Sequence, residues 1–456
     1  MKPETLLEQL LQLPIRNSHT HQLPDEEQRG LTLPGLLRHS YVSWCGPVPS
    51  GKNREDIIHW LEQVRSRSYF VFLEKSLQHL YGISRPLSAD SWEEYDAAIQ
   101  AAHQKPDWHL QILQEKCQYE SILLDAYWKP GDNNRHPSLF SPALRVNSFF
   151  YGYNRTALDH NGNNAQRLYG ETCICLEDYL EFVRRTLQKQ HKLGCRVFKC
   201  ALAYDRNLSF GEASQSLARR AMMENPQPEE IAAFQSAVFD CICEQAACLG
   251  IPVQIHTGLG LLQGSRAMLL YPLITRHPQT MFWLMHGSYP WTQDILVLVH
   301  TCKNVWTDLC WLPLISPHTA ARFLPELLDV CNADHIIWGC DTWAGEESFG
   351  ARLAFLRVLS DTLAQRANNG LLAREDALWL AKRILSNNLA FLGSKAGIEI
   401  SLPDYNMTDR CQFSSYIIGL STKRSKHHGR NEILPKLCHA SHKIGGFRDK
   451  RGSEPK

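Results

Sequence analysis

The chain has 456 residues, with 48 Lys/Arg against 47 Asp/Glu, a formal net charge of +1 and 44% hydrophobic residues. That balance describes a globular protein long enough to bury a large core, and it excludes a polybasic or polyacidic catalytic half. No run approaches the ~20 apolar residues of a membrane helix. Residues 1–13, with Glu4 and Glu8 in an amphipathic stretch, lack a signal-peptide pattern, so the fifteen cysteines are read as reduced thiols of a cytoplasmic protein.

Residues 15–21 (IRNSHTH) read as a buried strand ending on His19 and His21. Side chains alternate along a strand, so HxH sets two imidazoles on one face. A lone HxH is weak evidence for a metal. About 100 residues separate this strand from the next, 121–126 (SILLDA), against roughly 30 for an ordinary βαβ unit. Amphipathic stretches at 56–80, 91–102 and 107–120, broken by Pro86 and Pro106, predict a helical insert over about residues 24–117. Inside it, GPVPSGKN (46–53) imitates a phosphate loop. It ends on Asn53 where Ser or Thr is needed, and Pro47 and Pro49 lack amide hydrogens, so it is read as a plain loop.

Regular alternation follows. A third strand is expected at 144–150, a helix at 176–193, a fourth strand at 195–201 and a helix at 228–249 that stops at Gly250. Next come a strand ending at His256 (IPVQIH), a helix at 262–277, a strand ending at His286 (TMFWLMH) and a helix at 291–302. A strand at 305–309, a helix at 316–331, a strand ending at Asp341 (HIIWGCD) and helices at 349–364 and 374–391 complete the pattern. Alternating β and α units favour a parallel sheet. Several strands ending on ligand types select a closed (β/α)8 TIM-like barrel, in which residues past the C-terminal strand ends converge on one rim. Residues 1–393 are assigned to this barrel, and residues 394–456 to a basic C-terminal tail read as flexible.

His19, His21, Lys199, His256, His286 and Asp341 are the candidate metal residues. Imidazole and carboxylate donors suit a divalent ion, zinc first, with manganese or iron as alternatives. Lys199 is costly to bury as an ammonium. It is read either as a carbamate bridging two cations or as an ammonium holding an anionic substrate. Arg145, Tyr204 and Trp311 are candidate substrate contacts, Arg145 being equally suited to a structural ion pair. Tyr153 and Tyr289 also follow strands, and Asp125 and Asp308 are rim acids without an assigned role.

The stretches NSHTHQLPDEE (17–27), GCRVFKCALAYDRNLSF (194–210), LGIPVQIHTGLG (249–260), LMHGSYPW (284–291) and WGCDTW (338–343) resemble the amidohydrolase superfamily. Within it they are most similar to the amidohydrolase-related branch that includes the N-terminal domain of nodulin/glutamine-synthetase-like fusion proteins. The resemblance spans roughly residues 10–393. It implies that His19 and His21 bind one metal with Asp341, that Lys199 occupies the position carboxylated in two-metal members, and that His256 and His286 are the ligands of strands five and six. Asp341 would also act as general base towards a metal-bound water, with His286 or a second ion steadying the oxyanion.

The function so implied is metal-dependent hydrolysis of an amide, ester or related bond of a small molecule, using one or two ions. The alternatives are decarboxylation or sugar-acid isomerisation on the same barrel, or a non-catalytic metal-binding scaffold. No membrane or nucleic-acid partner is expected, and a homo-oligomer is left open. Residues 411–456 carry ten Lys/Arg against three Asp/Glu. This excess is read as a solvated tail, and Cys438, His439 and His442 fit no standard zinc-finger spacing.

Overall fold

Short runs rich in β-branched and aromatic residues recur between helix-forming stretches. In the computed structural model, which describes residues 1–390, eight of them form one parallel sheet. They are β1 (Ile15–Thr20), β2 (Tyr119–Leu124), β3 (Phe140–Arg145), β4 (Val197–Cys200), β5 (Val253–Ile255), β6 (Phe282–Leu284), β7 (Val305–Asp308) and β8 (Ile336–Ile337), paired in chain order. Backbone hydrogen bonds then link the segment after β8 to β1. Ser18 N donates to Trp338 O at 3.3 Å, Asp341 N to His19 O at 2.9 Å and His21 N to Thr342 O at 2.9 Å. The sheet is thereby rolled into a (β/α)8 barrel. Residues 394–456, including the three candidate tail ligands, lie outside the described residues.

Period-two alternation decides what enters the barrel. Ala143, Val197, Trp283, Trp306 and Ile337 pack together in its interior, whereas Leu144, Phe198, Ile255 and Leu284 join the core under the helices. Two residues further along β3 and β4, the same alternation turns Arg145 and Lys199 inward, and the two are register partners. The strands therefore deliver polar groups to the C-terminal mouth without interrupting the apolar barrel below.

The longest loop-to-strand detour is helical. Between β1 and β2 lie the helices Leu33–Arg38, Arg54–Val64, Ser68–Tyr81, Trp92–Ala102 and Trp108–Gln111. The first four share a core of their own, built on residues such as Leu37, Trp60, Leu61, Phe70, Leu77 and Tyr95, while Trp108 and Leu110 of the fifth pack on the barrel core. Residues 46–53 form a loop whose last residue, Asn53, caps the next helix by accepting from Glu55 N. This insert packs on the helix Gly345–Asn368. A Cβ at Gly350 would lie 2.7 Å from Phe72 O, so that close approach needs glycine.

Elsewhere the helix ends obey local chemistry. Pro228–Leu249 starts with proline in its first turn and a reciprocal Gln227–Glu230 cap, and it stops where Gly250 adopts φ 68°. Four expected elements differ, the first being the helix expected at 107–120, which gives way to β2 at Tyr119. The third strand lies earlier than 144–150, because the chain turns after Arg145 and Asn147 Oδ1 instead accepts from Ala201 N at 2.8 Å. The helix expected at 262–277 is shortened to Tyr271–Arg276. Gly264 presses on Asn207, where a Cβ would meet backbone Cα at 2.6 Å, and this tight turn replaces the first half of the helix. The stretch 56–80 is two helices, and neither glycine nor proline marks the break.

Candidate metal centre at the barrel mouth

β1 ends in His19 and His21, and the segment after β8 folds back beside it. Asn17 holds the two together: its Oδ1 accepts from Cys340 N at 3.0 Å, and its Nδ2 donates to Cys340 Sγ at 2.9 Å. Asp341 is thereby placed between the imidazoles. Its Oδ1 lies 3.2 Å from His19 Nε2 and 3.2 Å from His21 Nε2, and the donor atoms of the three residues lie within 4.8 Å of one another. Neither approach has hydrogen-bond geometry. Asp341 Oδ1 is buried without a hydrogen-bond partner, as are His19 Nδ1 and His286 Nε2. A buried carboxylate oxygen without a hydrogen-bond partner between two imidazole nitrogens is costly unless something satisfies it, and a divalent cation suits the donor set of His19, His21 and Asp341.

Surrounding carbonyls choose the tautomers. His21 Nδ1 donates to Asp125 O at 2.8 Å and leaves Nε2 bare towards Asp341. His286 Nδ1 donates to Cys310 O at 3.0 Å and also leaves Nε2 bare. His256 does the reverse, donating from Nε2 to Leu259 O at 2.6 Å and leaving Nδ1 free. Such outer hydrogen bonds fix ligand orientation. In this tautomer His286 Nε2 is an acceptor, open to a cation.

Burial, aided by the Lys199 charge, holds the His19 imidazole down to about 3. Burial holds His286 down to about 4 and His256 well below the imidazole range. For Asp341, burial opposes ionisation, but the imidazoles, His19 foremost, outweigh it and keep the carboxyl well below the usual carboxylate range. Neutral imidazoles beside an ionised carboxylate are the protonation state a divalent cation requires.

Lys199 lines the same cavity. It is 1% exposed, and burial lowers its pKa from the ordinary value. Its Nζ donates to Met285 Sδ, and among the described residues no carboxylate lies within ion-pair distance. Arg145, by contrast, is committed to Asp125: Nε lies 3.1 Å from each carboxylate oxygen and Nη2 lies 2.6 Å from Oδ2. The pair is buried, and Arg145 also stacks over Tyr127 with its guanidinium carbon 5.5 Å from the ring centroid.

The cavity above the ligands measures about 200 Å³. That is smaller than pockets for drug-sized ligands and suits a small polar molecule. Its walls include Tyr204, whose ring is 4.5 Å from that of His256, and Trp343, stacked at 5.3 Å on His21. Trp311 stands beside His286 at 5.5 Å but, like Tyr153 and Tyr289, does not line the cavity. Its cover comes from the insert. Tyr41 stacks on Trp311 at 4.8 Å, Trp44 meets Trp311 at 5.4 Å, and both Tyr41 and Trp44 line the cavity. Sequence reasoning missed Tyr41 and Trp44, which nothing local marks, and also Tyr127 and Trp343, which follow the ends of β2 and β8 closely enough for the strand-end rule to have found them. It also missed His160, which lines the cavity with Nδ1 2.8 Å from Asp205 Oδ2.

Asp308, left without a role by the sequence, is a brace. It accepts from His286 N at 2.8 Å, Cys310 N at 3.0 Å and Trp283 Nε1 at 2.8 Å. Burial pushes its carboxyl up to about 7. His286, Trp311 and Asp341 all have positive φ, at 63°, 63° and 55°. Such backbone is costly for non-glycine residues and is concentrated at functional sites.

Eight parallel strands with a His/Asp cluster past their C-terminal ends define a barrel of the metal-binding (β/α)8 class. The sequence profile of the Amidohydrolase family matches residues 128–360, and the chain belongs to that family. Protein fluG of Emericella nidulans is 32% identical over 144 residues, which is 30% of this chain and only 16% of that relative's length. Among crystal structures, glucuronate isomerase from Caulobacter crescentus superposes with a TM-score of 0.69 at 17% identity, covering 88% of this chain and 95% of that one. Uronate isomerase from Thermotoga maritima gives 0.67 at 16% identity, covering 86% and 96%. A Lactobacillus casei protein described as a metal-dependent hydrolase gives 0.62 at 14% identity, covering 86% and 97%. At these identities the likeness is one of fold. No described helix is long and apolar enough to cross a membrane.

Proposed function

We propose that this protein is a metal-dependent hydrolase of a small polar amide, ester or related substrate. The observation that carries the reading is Asp341 Oδ1, buried, without a hydrogen-bond partner and 3.2 Å from two imidazole nitrogens at the floor of a cavity. His19, His21 and Asp341 would hold one ion, and His256, His286 and Lys199 supply donors for a second. A bound ion supplies Lewis acidity and brings the pKa of a water to near 7. Asp341, ionised and facing His286 through Oδ2, is the group suited to take the proton of the attacking water and return it to the leaving group. Tyr41, Trp44 and Trp343 would exclude bulk water above it.

We read Lys199 as a carbamate. A buried amine with a thioether acceptor and no acid partner favours the neutral form, and a neutral amine adds to carbon dioxide, losing a proton to give a carbamate. Lys199→Ala is then expected to lower metal content from two ions towards one, with partial rescue by short carboxylates. An ammonium that holds an anionic substrate would instead leave metal content unchanged and raise KM.

Sugar-acid isomerisation or decarboxylation is the second reading. Lys199 at the cavity floor favours it, since that amine would suit a substrate carboxylate if charged. Turnover of N-acyl amino acids, lactones and uronates, each with and without zinc or manganese, separates the readings. Hydrolysis of an amide or lactone supports the first, interconversion of uronates alone replaces it with the second, and metal uptake without any turnover leaves a scaffold.

A further inference from the structure

A second group of donors gathers where the helical insert leaves and rejoins the barrel. Asp25 opens the Asp25–Gln28 turn just after β1, His109 lies on Trp108–Gln111 at the far end of the insert, and His136 lies in the loop before β3. His136 Nε2 is 2.9 Å from Asp25 Oδ1 and 3.1 Å from Oδ2, and His109 Nε2 is 3.2 Å from Oδ1. The donor atoms of all three lie within 4.8 Å of one another, the same closeness found for His19, His21 and Asp341. Among the described residues neither Nε2 has another partner. His109 is buried, while Asp25 and His136 each keep 27% of their side chains exposed, so the group opens to solvent on one side.

The charges suit a cation as well. Burial lowers the His109 pKa and favours its neutral form. Burial opposes the Asp25 charge, but the imidazole of His136 and then that of His109 hold its carboxyl below the ordinary value. Arg135 Nη2 is 3.8 Å from Asp25 Oδ2, yet it is 2.8 Å from Glu26 Oε1, and its side chain is 66% exposed. It can retreat into solvent.

We propose that Asp25, His109 and His136 form a structural site for a divalent transition ion, zinc by donor chemistry, outside the barrel mouth. Two imidazole nitrogens and a carboxylate supply three positions, and water from the open side completes the coordination. The ion ties both ends of the insert to the loop before β3. Because the insert carries Tyr41 and Trp44 over the cavity, the same ion would hold that cover in place. The group shares no residue with the mouth cluster, so either site can fail without the other.

Zinc content of the full chain tests this by elemental analysis of the wild type, His19→Ala/His21→Ala, Asp25→Asn/His136→Gln and the combination. The Asp25→Asn/His136→Gln pair is expected to remove one equivalent in both backgrounds. Unchanged zinc in a variant folded by circular dichroism overturns the site and leaves a hydrogen-bonded His–Asp–His latch. Should that variant not fold, protection of His136 from chemical modification in the intact chain carries the test. After metal stripping, zinc in excess of all the proposed sites should protect His136 from diethyl pyrocarbonate, read by peptide mass spectrometry, and equal modification with and without zinc overturns the proposal.

Discussion

Replacing Arg145 by methionine isolates the ion pair behind His21, whose Nδ1 donates to the Asp125 carbonyl. Asp125 is fully buried and Arg145 is 6% exposed at its side chain, with contacts of 2.6 to 3.1 Å between them. Burial pushes the Asp125 carboxyl up, but Arg145 outweighs it and holds the group down to about 2, against an ordinary value of 3.8. Because the folded value lies below the unfolded one, the pair contributes stability fully above the unfolded pKa and loses it as pH falls through about 2. That difference corresponds to ~2 kcal/mol at neutral pH. Arg145→Met costs more, about 3–5 kcal/mol, because a carboxylate is left buried without its partner. Urea midpoints followed by circular dichroism at pH 7 and at pH 4.5 measure this. We expect the large loss at pH 7, partial recovery at the lower pH as Asp125 takes up a proton, and recovery in Asp125→Leu/Arg145→Met. A loss under about 1 kcal/mol at pH 7, the scale of an exposed pair, would refute the reasoning.

Other perturbations have equally definite outcomes. Burial pushes Glu347 up to about 8 from an ordinary 4.5 while its Oε1 accepts from Tyr41 N. A raised folded value means stability is full below the unfolded pKa and is lost as pH rises from there to about 8, by roughly 5 kcal/mol at most. Glu347→Gln should flatten that decline in melting temperature between about pH 5 and 8, and an unchanged decline would place its source elsewhere. Tyr41→Ala removes the ring stacked on Trp311. Such a truncation costs about 3–5 kcal/mol and should raise KM more than it lowers kcat, so a kcat effect alone would argue against a cover role. Chelation should lower the melting temperature, and zinc or manganese should restore it.

How much could be read from the chain depended on how local each signal was. His19, His21, Lys199, His256, His286 and Asp341 each sit at or beside the end of an apolar run, so strand and ligand announce one another. The structure gathers all six around one mouth. Arg145 and Lys199 face inward for the same reason that Ala143 and Val197 do. Tyr41 and Trp44 had no such marker, because only the fold of the insert carries them to Trp311. The pairing of Arg145 with Asp125 was equally hidden, since an inward arginine reads the same whether it meets a substrate or a neighbouring strand. Amphipathic spacing at 262–277 was overridden by the close contact of Gly264 with Asn207. The positive φ of His286, Trp311 and Asp341 leaves no trace in residue type.

Anomalous diffraction from crystals soaked in zinc tests the metal centre most directly. We expect a peak about 2.0–2.2 Å from His19 Nε2, His21 Nε2 and an Asp341 oxygen, which disappears in His19→Ala/His21→Ala crystals. Well-ordered crystals that take up zinc elsewhere, with no peak between those three residues, would contradict the assignment.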